Sequence, residues 1–226
     1  MDTLSAAHLA RFLDHTLLKP ETTTGQIEQL CAEARRHGFF GVCVNGSRVI
    51  QARHFLEDTD IKVACVVGFP LGAMSGDAKR YETEAAIDDG AQEIDAVINL
   101  GRLKDGDDRY VLRELRDVVE AADERPVKVI LETGLLSHDE KIRACNLAVE
   151  SGARFVKTST GFSAGGATVE DVALLRKIVG PKFGVKASGG IRDAKTALAM
   201  IAAGASRLGT SSSVALIQEL AENQKP

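Results

Sequence analysis

Short runs rich in Val, Ile and Ala alternate along the chain with longer segments whose apolar residues return every three or four positions. The first pattern predicts buried strands and the second amphipathic helices. A helix over Thr3 to Phe12, with Ser5 as a cap, leads into a strand at Leu13 to Leu18 that Lys19-Pro20 stops. Thr22 to Thr24 cap a helix running to Gly38, followed by a strand at Phe39 to Val44 and a helix from Ser47 to about Leu56. A strand at Lys62 to Gly68 ends in the turn Gly68 to Gly72, and Ser75 opens a helix to Gly90. Further strands follow at Glu93 to Ile98, Val127 to Leu131, Phe155 to Lys157 within the stretch Arg154 to Phe162, Phe183 to Ala187 and Ser206 to Gly209. The helices between and after them cover Asp108 to Ala122, Ser137 to Gly152, Val169 to Val179, Asp193 to Ala203 and Val214 to Leu220.

Helix ends recur as Gly38, Gly90, Gly152 and Gly204, the last three each followed by alanine and then a strand. Eight strands alternating with helices in 226 residues fit an α/β fold, a closed (β/α)8 TIM barrel with an extra N-terminal helix, as a single domain over 1–226. A doubly wound open sheet stays as the alternative. The sequence carries neither the GxGxxG turn nor the Walker loop that usually favours it.

Composition narrows the function classes. A net charge of −4, two tyrosines and no tryptophan argue against nucleic acid as a partner, while leaving room for one local positive pocket. No window approaches the roughly 18 apolar residues of a membrane span, and no basic segment followed by an apolar run opens the chain. The expectation is a cytoplasmic protein without membrane attachment. Cys31, Cys43, Cys65 and Cys145 form no CxxC pair and read as reduced core residues.

The chemistry concentrates in two lysines placed inside apolar strands, Lys157 in RFVKTSTGF and Lys186 in VKASGG. Burial and a neighbouring cation both disfavour the charged ammonium, and a free amine attacks carbonyls. The competing reading has each lysine reach solvent from an edge strand or pair with a carboxylate. In a barrel of this kind the site lies at the carboxyl ends of the strands, which also singles out Asp14, Thr16, Asn45, Asp95 and Glu132. Alternation puts Phe155, Lys157 and Ser159 on one face and Val156 and Thr158 on the other, so Lys157 can face the axis. The facing of Asp95 stays open: it neutralises a lysine, serves as a general base, or both. Asp14 either orients Lys186 or a substrate hydroxyl, or caps a turn.

Bare backbone at Gly189-Gly190, after the seventh strand, and at Gly209-Thr210-Ser211-Ser212, after the eighth, suits an anion held near a helix amino terminus. His8, His15, His37, His54 and His138 show no HxH or HExxH spacing, so no metal is expected; His15 is the one placed near the mouth. No GxSxG elbow supports a hydrolase triad.

The motifs DHTLLKP at Asp14 to Pro20, CVN at Cys43 to Asn45, GFPLG, EIDAVIN, VKVILET, VKTSTGF, VKASGGI and GTSS span almost the whole length. In this order the chain resembles the deoxyribose-phosphate aldolases. The resemblance implies a (β/α)8 barrel, no metal or other cofactor, and cleavage of 2-deoxy-D-ribose 5-phosphate to acetaldehyde and D-glyceraldehyde 3-phosphate. It makes Lys157 the Schiff-base lysine, Lys186 the lysine that perturbs it and assists proton transfer, and Asp95 the acid/base partner. Asp14, Thr16, Thr158, Gly189, Gly190, Gly209, Ser211 and Ser212 are the expected substrate-binding residues, and a homo-oligomer, a dimer, is the expected assembly. Two departures stand out: Phe162 occupies a position where some members carry lysine, and the tail Gln224-Lys225-Pro226 lacks the tyrosine with which some members end. Phosphate charge is therefore expected to rest on backbone groups of Gly190 and Ser211. The rival readings are another metal-free aldolase or a transaldolase on the same scaffold, and a non-catalytic sugar-phosphate sensor.

Overall fold

A computed structural model describes residues 4–223. Thr3, where the sequence pattern starts the first helix, and the tail Gln224-Lys225-Pro226 lie outside the described residues. Helix α1 (Ala6–Ala10), capped by the Ser5 hydroxyl, precedes a barrel built of β1 (Leu13–Thr16), α2 (Thr24–His37), β2 (Gly41–Val44), α3 (Val49–Phe55), β3 (Lys62–Val67), α4 (Gly76–Asp88) and β4 (Glu93–Val97). It continues through α5 (Leu100–Lys104), α6 (Asp108–Ala121), β5 (Val127–Ile130), α7 (His138–Glu150), β6 (Phe155–Lys157), α8 (Val169–Val179), β7 (Gly184–Ser188), α9 (Ala194–Ala202), β8 (Arg207–Thr210) and α10 (Ser213–Asn223).

All pairings are parallel and follow chain order, and β1 pairs with β8 through Leu13↔Leu208, Asp14↔Gly209 and His15↔Thr210. The sheet is therefore closed, and the open doubly wound alternative falls. Caps hold the helices: Thr23, within the expected Thr22 to Thr24, forms a reciprocal capping box with Gln26 at α2, as Ser137 and Glu140 do at α7, and Ser75 caps α4; Asp193, expected only as a helical residue, caps α9. Gly38 ends α2 at φ +65°, a left-handed conformation that a side chain would strain. The short helix α5 is absent from the sequence reading, because five residues containing a glycine display no apolar period. A single 3₁₀ turn, Gly46–Arg48, precedes α3 where one continuous helix was expected.

Alternation along each strand sorts the residues into two environments. Outward-facing Val42, Val63, Ile94, Val129, Val156, Val185 and Leu208 are buried under the helices, each contributing about 1.5–3 kcal/mol relative to exposure. The inward-facing set is split by side. Cys43, Ala64 and Val66, with Leu18 and Phe69, make an apolar patch against β2 and β3. The remaining strands turn Asp14, Glu93, Asp95, Lys128, Lys157, Lys186 and Arg207 into the same interior, all buried. Burying an ion unpaired costs several kcal/mol, so the layout of these seven decides whether the barrel is stable.

Candidate active site

Asp95 sits at the centre of the cluster. Its strand register aligns it with Lys128 on β5, while Lys157 on β6 aligns with Lys186 on β7, so three ammonium groups converge on one carboxylate. Lys128 donates to Oδ1 at 2.7 Å; Lys157 and Lys186 donate to Oδ2 at 2.9 and 2.7 Å. Lys186 is also bonded to Oδ2 of Asp14, and Lys128 contacts Glu93 at 2.6 Å. The inward facing of Asp95, which alternation alone left open, is settled by this register.

Burial by itself would raise the Asp95 carboxyl, but Lys128, Lys157 and Lys186 outweigh it and hold the group well below the usual carboxylate range. Burial would likewise lower Lys186, and Asp14 and Asp95 reverse it, leaving Lys186 raised and cationic. The simple picture of two amines repelling one another is thereby corrected. Cations and anions interleave, and Lys186 is a fixed positive charge beside Lys157. Cys43 approaches Asp95 Oδ2 at 3.9 Å, and burial pushes its thiol up, away from the thiolate.

Above the cluster, at the carboxyl ends of the strands, opens a cavity of about 280 Å3. Lys157 lies on its floor, 2% exposed. Thr16, Gly189, Gly190, Gly209 and Ser211 line it, as expected from sequence. Gly189 and Gly190 take φ of +87° and +79°, and the backbone of Gly166 packs against Gly189, where an added Cβ would stand 3.1 Å from the Gly166 Cα.

Three of the residues expected to bind substrate, Asp14, Thr158 and Ser212, are not among those lining the cavity. Asp14 is fully buried below the cavity, where it pairs with Lys186, the partner that one of its expected readings named, and with Arg207. Thr158 faces away, as its strand parity requires, and latches β6 to β7 by donating to the Ser188 carbonyl at 3.0 Å. Ser212 stands behind the lining, its N–H donating to the Thr210 hydroxyl at 3.0 Å. Gly209 has a second job: a Cβ there would meet Cε of Lys186 at 3.0 Å, so its bareness gives that lysine its channel. His15 is turned away from the mouth onto α2, 2.7 Å from Glu33.

Sequence reasoning missed two cations on the cavity wall, Lys19 and Arg192. Phosphate charge need not rest on backbone N–H groups alone. The adjacency of Arg192 to the Gly189-Gly190 turn was the available signal. Phe162 is half exposed on the same wall and packs edge-on against Phe69, with ring centroids 5.2 Å apart. Glu132 is buried with φ +55° and accepts hydrogen bonds from the hydroxyl and the N–H of Thr160, the latter at 3.2 Å. The Thr160 hydroxyl in turn accepts from the Phe162 N–H at 3.1 Å, so Glu132 anchors the wall Thr160-Gly161-Phe162.

The DeoC/LacD family aldolase model matches residues 9–216. The chain belongs to that family. It is 57% identical to a deoxyribose-phosphate aldolase of Alkaliphilus oremlandii over 217 residues, 96% of this chain and 98% of the relative. It is 58% identical to one of Bdellovibrio bacteriovorus over 210 residues, 93% of this chain and 96% of the relative. Among solved structures it is similar to the tetrameric deoxyribose phosphate aldolase of Aeropyrum pernix, with a TM-score of 0.89 and 33% identity over 95% of this chain and 91% of that one. For an aldolase of this family, the barrel, the buried lysine pair and the cavity at the strand ends are mutually consistent in position.

Proposed function

We propose that the protein is a class I aldolase that reversibly cleaves 2-deoxy-D-ribose 5-phosphate to D-glyceraldehyde 3-phosphate and acetaldehyde through a Schiff base on Lys157. The observation that carries this reading is the amine of Lys157 on the cavity floor, hydrogen-bonded to an anionic Asp95 that Lys186 shares.

The free amine of Lys157 adds to the aldehyde carbon of the open-chain sugar, and loss of water gives a protonated imine. A proton leaves the hydroxyl on carbon three, and the bond between carbons two and three breaks. Its electron pair flows into the imine to make an enamine, while glyceraldehyde 3-phosphate departs. Protonation of the enamine carbon and hydrolysis release acetaldehyde and restore the amine. Asp95 and Lys186 do not line the cavity, so Asp95 takes the carbon-three proton through water, with Lys186 assisting, and the same route returns a proton to the enamine carbon. The phosphate lies against Gly189, Gly190 and Ser211, with Arg192 and Lys19 supplying positive charge. In this reading the active unit is a homo-oligomer, a dimer, made of single-domain subunits and working in the cytoplasm. Among the described residues no helix is long and apolar enough to cross a membrane.

Borohydride added with deoxyribose 5-phosphate tests the reading directly. The expected result is a two-carbon mass increment on Lys157, accompanied by acetaldehyde release in a coupled assay. Labelling elsewhere, or turnover that survives Lys157→Ala, would overturn it. A sensor would bind the sugar phosphate without releasing aldehyde, and another aldolase or a transaldolase would trap a different phosphorylated sugar. Size-exclusion chromatography with light scattering checks the dimer.

A further inference from the structure

The contacts beneath Lys157 form a closed loop. Asp95 meets Lys128 at 2.7 Å, Lys128 meets Glu93 at 2.6 Å, and Glu93 meets Arg207 at 3.2 Å. Arg207 meets Asp14 at 3.0 Å, Asp14 is bonded to Lys186, and Lys186 returns to Asp95 at 2.7 Å. Anion and cation alternate throughout, and three of each cancel. Lys157 hangs outside the loop, on Asp95, as the surplus cation. Proton loss from Lys157 leaves every pair of the loop in place, whereas proton loss from Lys186 would open it at two contacts.

Glu93 and Arg207 begin their strands, so they close the loop at the barrel end opposite the cavity. Arg207 is held firmly there. Its guanidinium lies 3.3 Å from the ring centroid of Phe40 and 5.5 Å from that of Phe155. Phe155 in turn covers Gly184, where a Cβ would fall 2.1 Å from the ring. A planar, permanently charged group suits this sandwich better than an ammonium does.

We propose that Arg207 and Glu93 are positioning residues of the Schiff-base chemistry: by closing this ring from below they hold Lys186 and Asp95 at the distances that Lys157 requires. The inference rests on the reading of Lys157 as the nucleophile. Without Arg207, Asp14 and Glu93 each keep one lysine and compete with Asp95 for it, drawing Lys186 and Lys128 down and away. Without the Glu93 charge, Lys128 keeps Asp95 as its carboxylate partner. The charged and titratable groups facing Asp95 are Lys128, Lys157, Lys186, Asp14 and Cys43, from β5, β6, β7, β1 and β2. The two substitutions therefore act on the Asp95 carboxyl with opposite sign.

The test compares Arg207→Met, Arg207→Lys, Glu93→Gln and the Arg207→Met/Glu93→Gln double variant. Turnover per borohydride-trappable site, KM and the pH profile of kcat are measured for each. Arg207→Met is expected to lower kcat per trappable site by about ten- to a hundredfold, with KM within about twofold, because neither residue reaches the cavity. Its acid limb moves to higher pH, that of Glu93→Gln moves to lower pH, the double variant returns toward wild type, and Arg207→Lys recovers part of the rate. Wild-type turnover per trappable site with an unmoved acid limb, or losses confined to melting temperature and trappable fraction, would overturn the proposal. Should Arg207→Met fail to fold, the near-isosteric Glu93→Gln decides it by the direction of its limb. Absence of any label on wild-type Lys157 would instead sink the aldolase reading, whereas normal labelling with unmoved limbs sinks the ring inference alone.

Discussion

Lys157 and Lys186 donate to the same oxygen of Asp95, at 2.9 and 2.7 Å, from directly paired positions on adjacent strands. One carboxylate oxygen thus couples the amine on the cavity floor to a cation sealed from solvent. A proton exchanged at Lys157 changes the field at Lys186 immediately, and the reverse holds as well.

Asp95→Asn keeps the side-chain shape and removes the charge that three ammonium groups share. Turnover is expected to fall by about 10²- to 10⁴-fold, the range for loss of general acid–base assistance. Stability is expected to fall by about 3 kcal/mol, because cations are left buried without their partner. Steady-state kinetics and thermal melting check both; a variant with normal rate would remove Asp95 from the mechanism.

Glu132→Gln tests the anchor of the cavity wall. A charged hydrogen-bond acceptor contributes about 1.5–3 kcal/mol, so its loss loosens Thr160-Gly161-Phe162. KM for deoxyribose 5-phosphate is expected to rise by about tenfold, while catalysis on unphosphorylated deoxyribose stays near wild type. Equal losses on both sugars would show that Glu132 serves the chemistry and not the wall.

Gly209→Ala introduces a methyl group 3.0 Å from Cε of Lys186. The lysine has nowhere to yield, since its Nζ is bonded to both Asp14 and Asp95. A destabilisation of about 1–3 kcal/mol, typical of overpacking, is expected together with reduced kcat. Denaturant melts and kinetics on the same preparation provide the check, and an unaffected enzyme would mean that the Lys186 channel is not tight.

The pH dependence of stability follows from the signs of the shifts. Asp14 and Asp95 have lowered carboxyls: burial opposes this, and in each case the neighbouring cations prevail. Their contribution is fully present above the unfolded value of about 3.9 and is lost as pH falls through the lower folded values. Lys186 and Lys128 are raised against the effect of burial, by Asp14 and Asp95 and by Asp95 and Glu93 respectively, so their contribution holds below about 10.4 and disappears only at higher pH. The melting-temperature gap between wild type and Asp14→Asn is therefore expected to stay constant from about pH 5 to about pH 9 and to shrink in acid. A gap that widens in acid would contradict the assignment.

Much of the barrel was legible because its rules are local. The caps Ser5, Ser75 and Ser137, the terminal Gly38 and the β-branched runs each act on near neighbours, and the observed elements match those ranges to within a few residues. The motifs around Lys157, Lys186 and Asp95 were equally visible, since a charged residue inside an apolar strand stands out in one dimension. Sequence by itself determined the alternation, the helix ends and the identity of the unusual lysines. Register and closure decided the rest. Only pairing of β8 with β1 brings Arg207 to Asp14, 193 positions away along the chain. Only the inward turn of β5 makes Lys128, a lysine the sequence reading passed over in VKVIL, a partner of Asp95. Only the bend after β7 carries Arg192 to the cavity, and only the turn after β8 leaves Ser212 behind its wall. Electrostatic energy depends on distances between side chains, and those distances exist once the sheet has closed on itself.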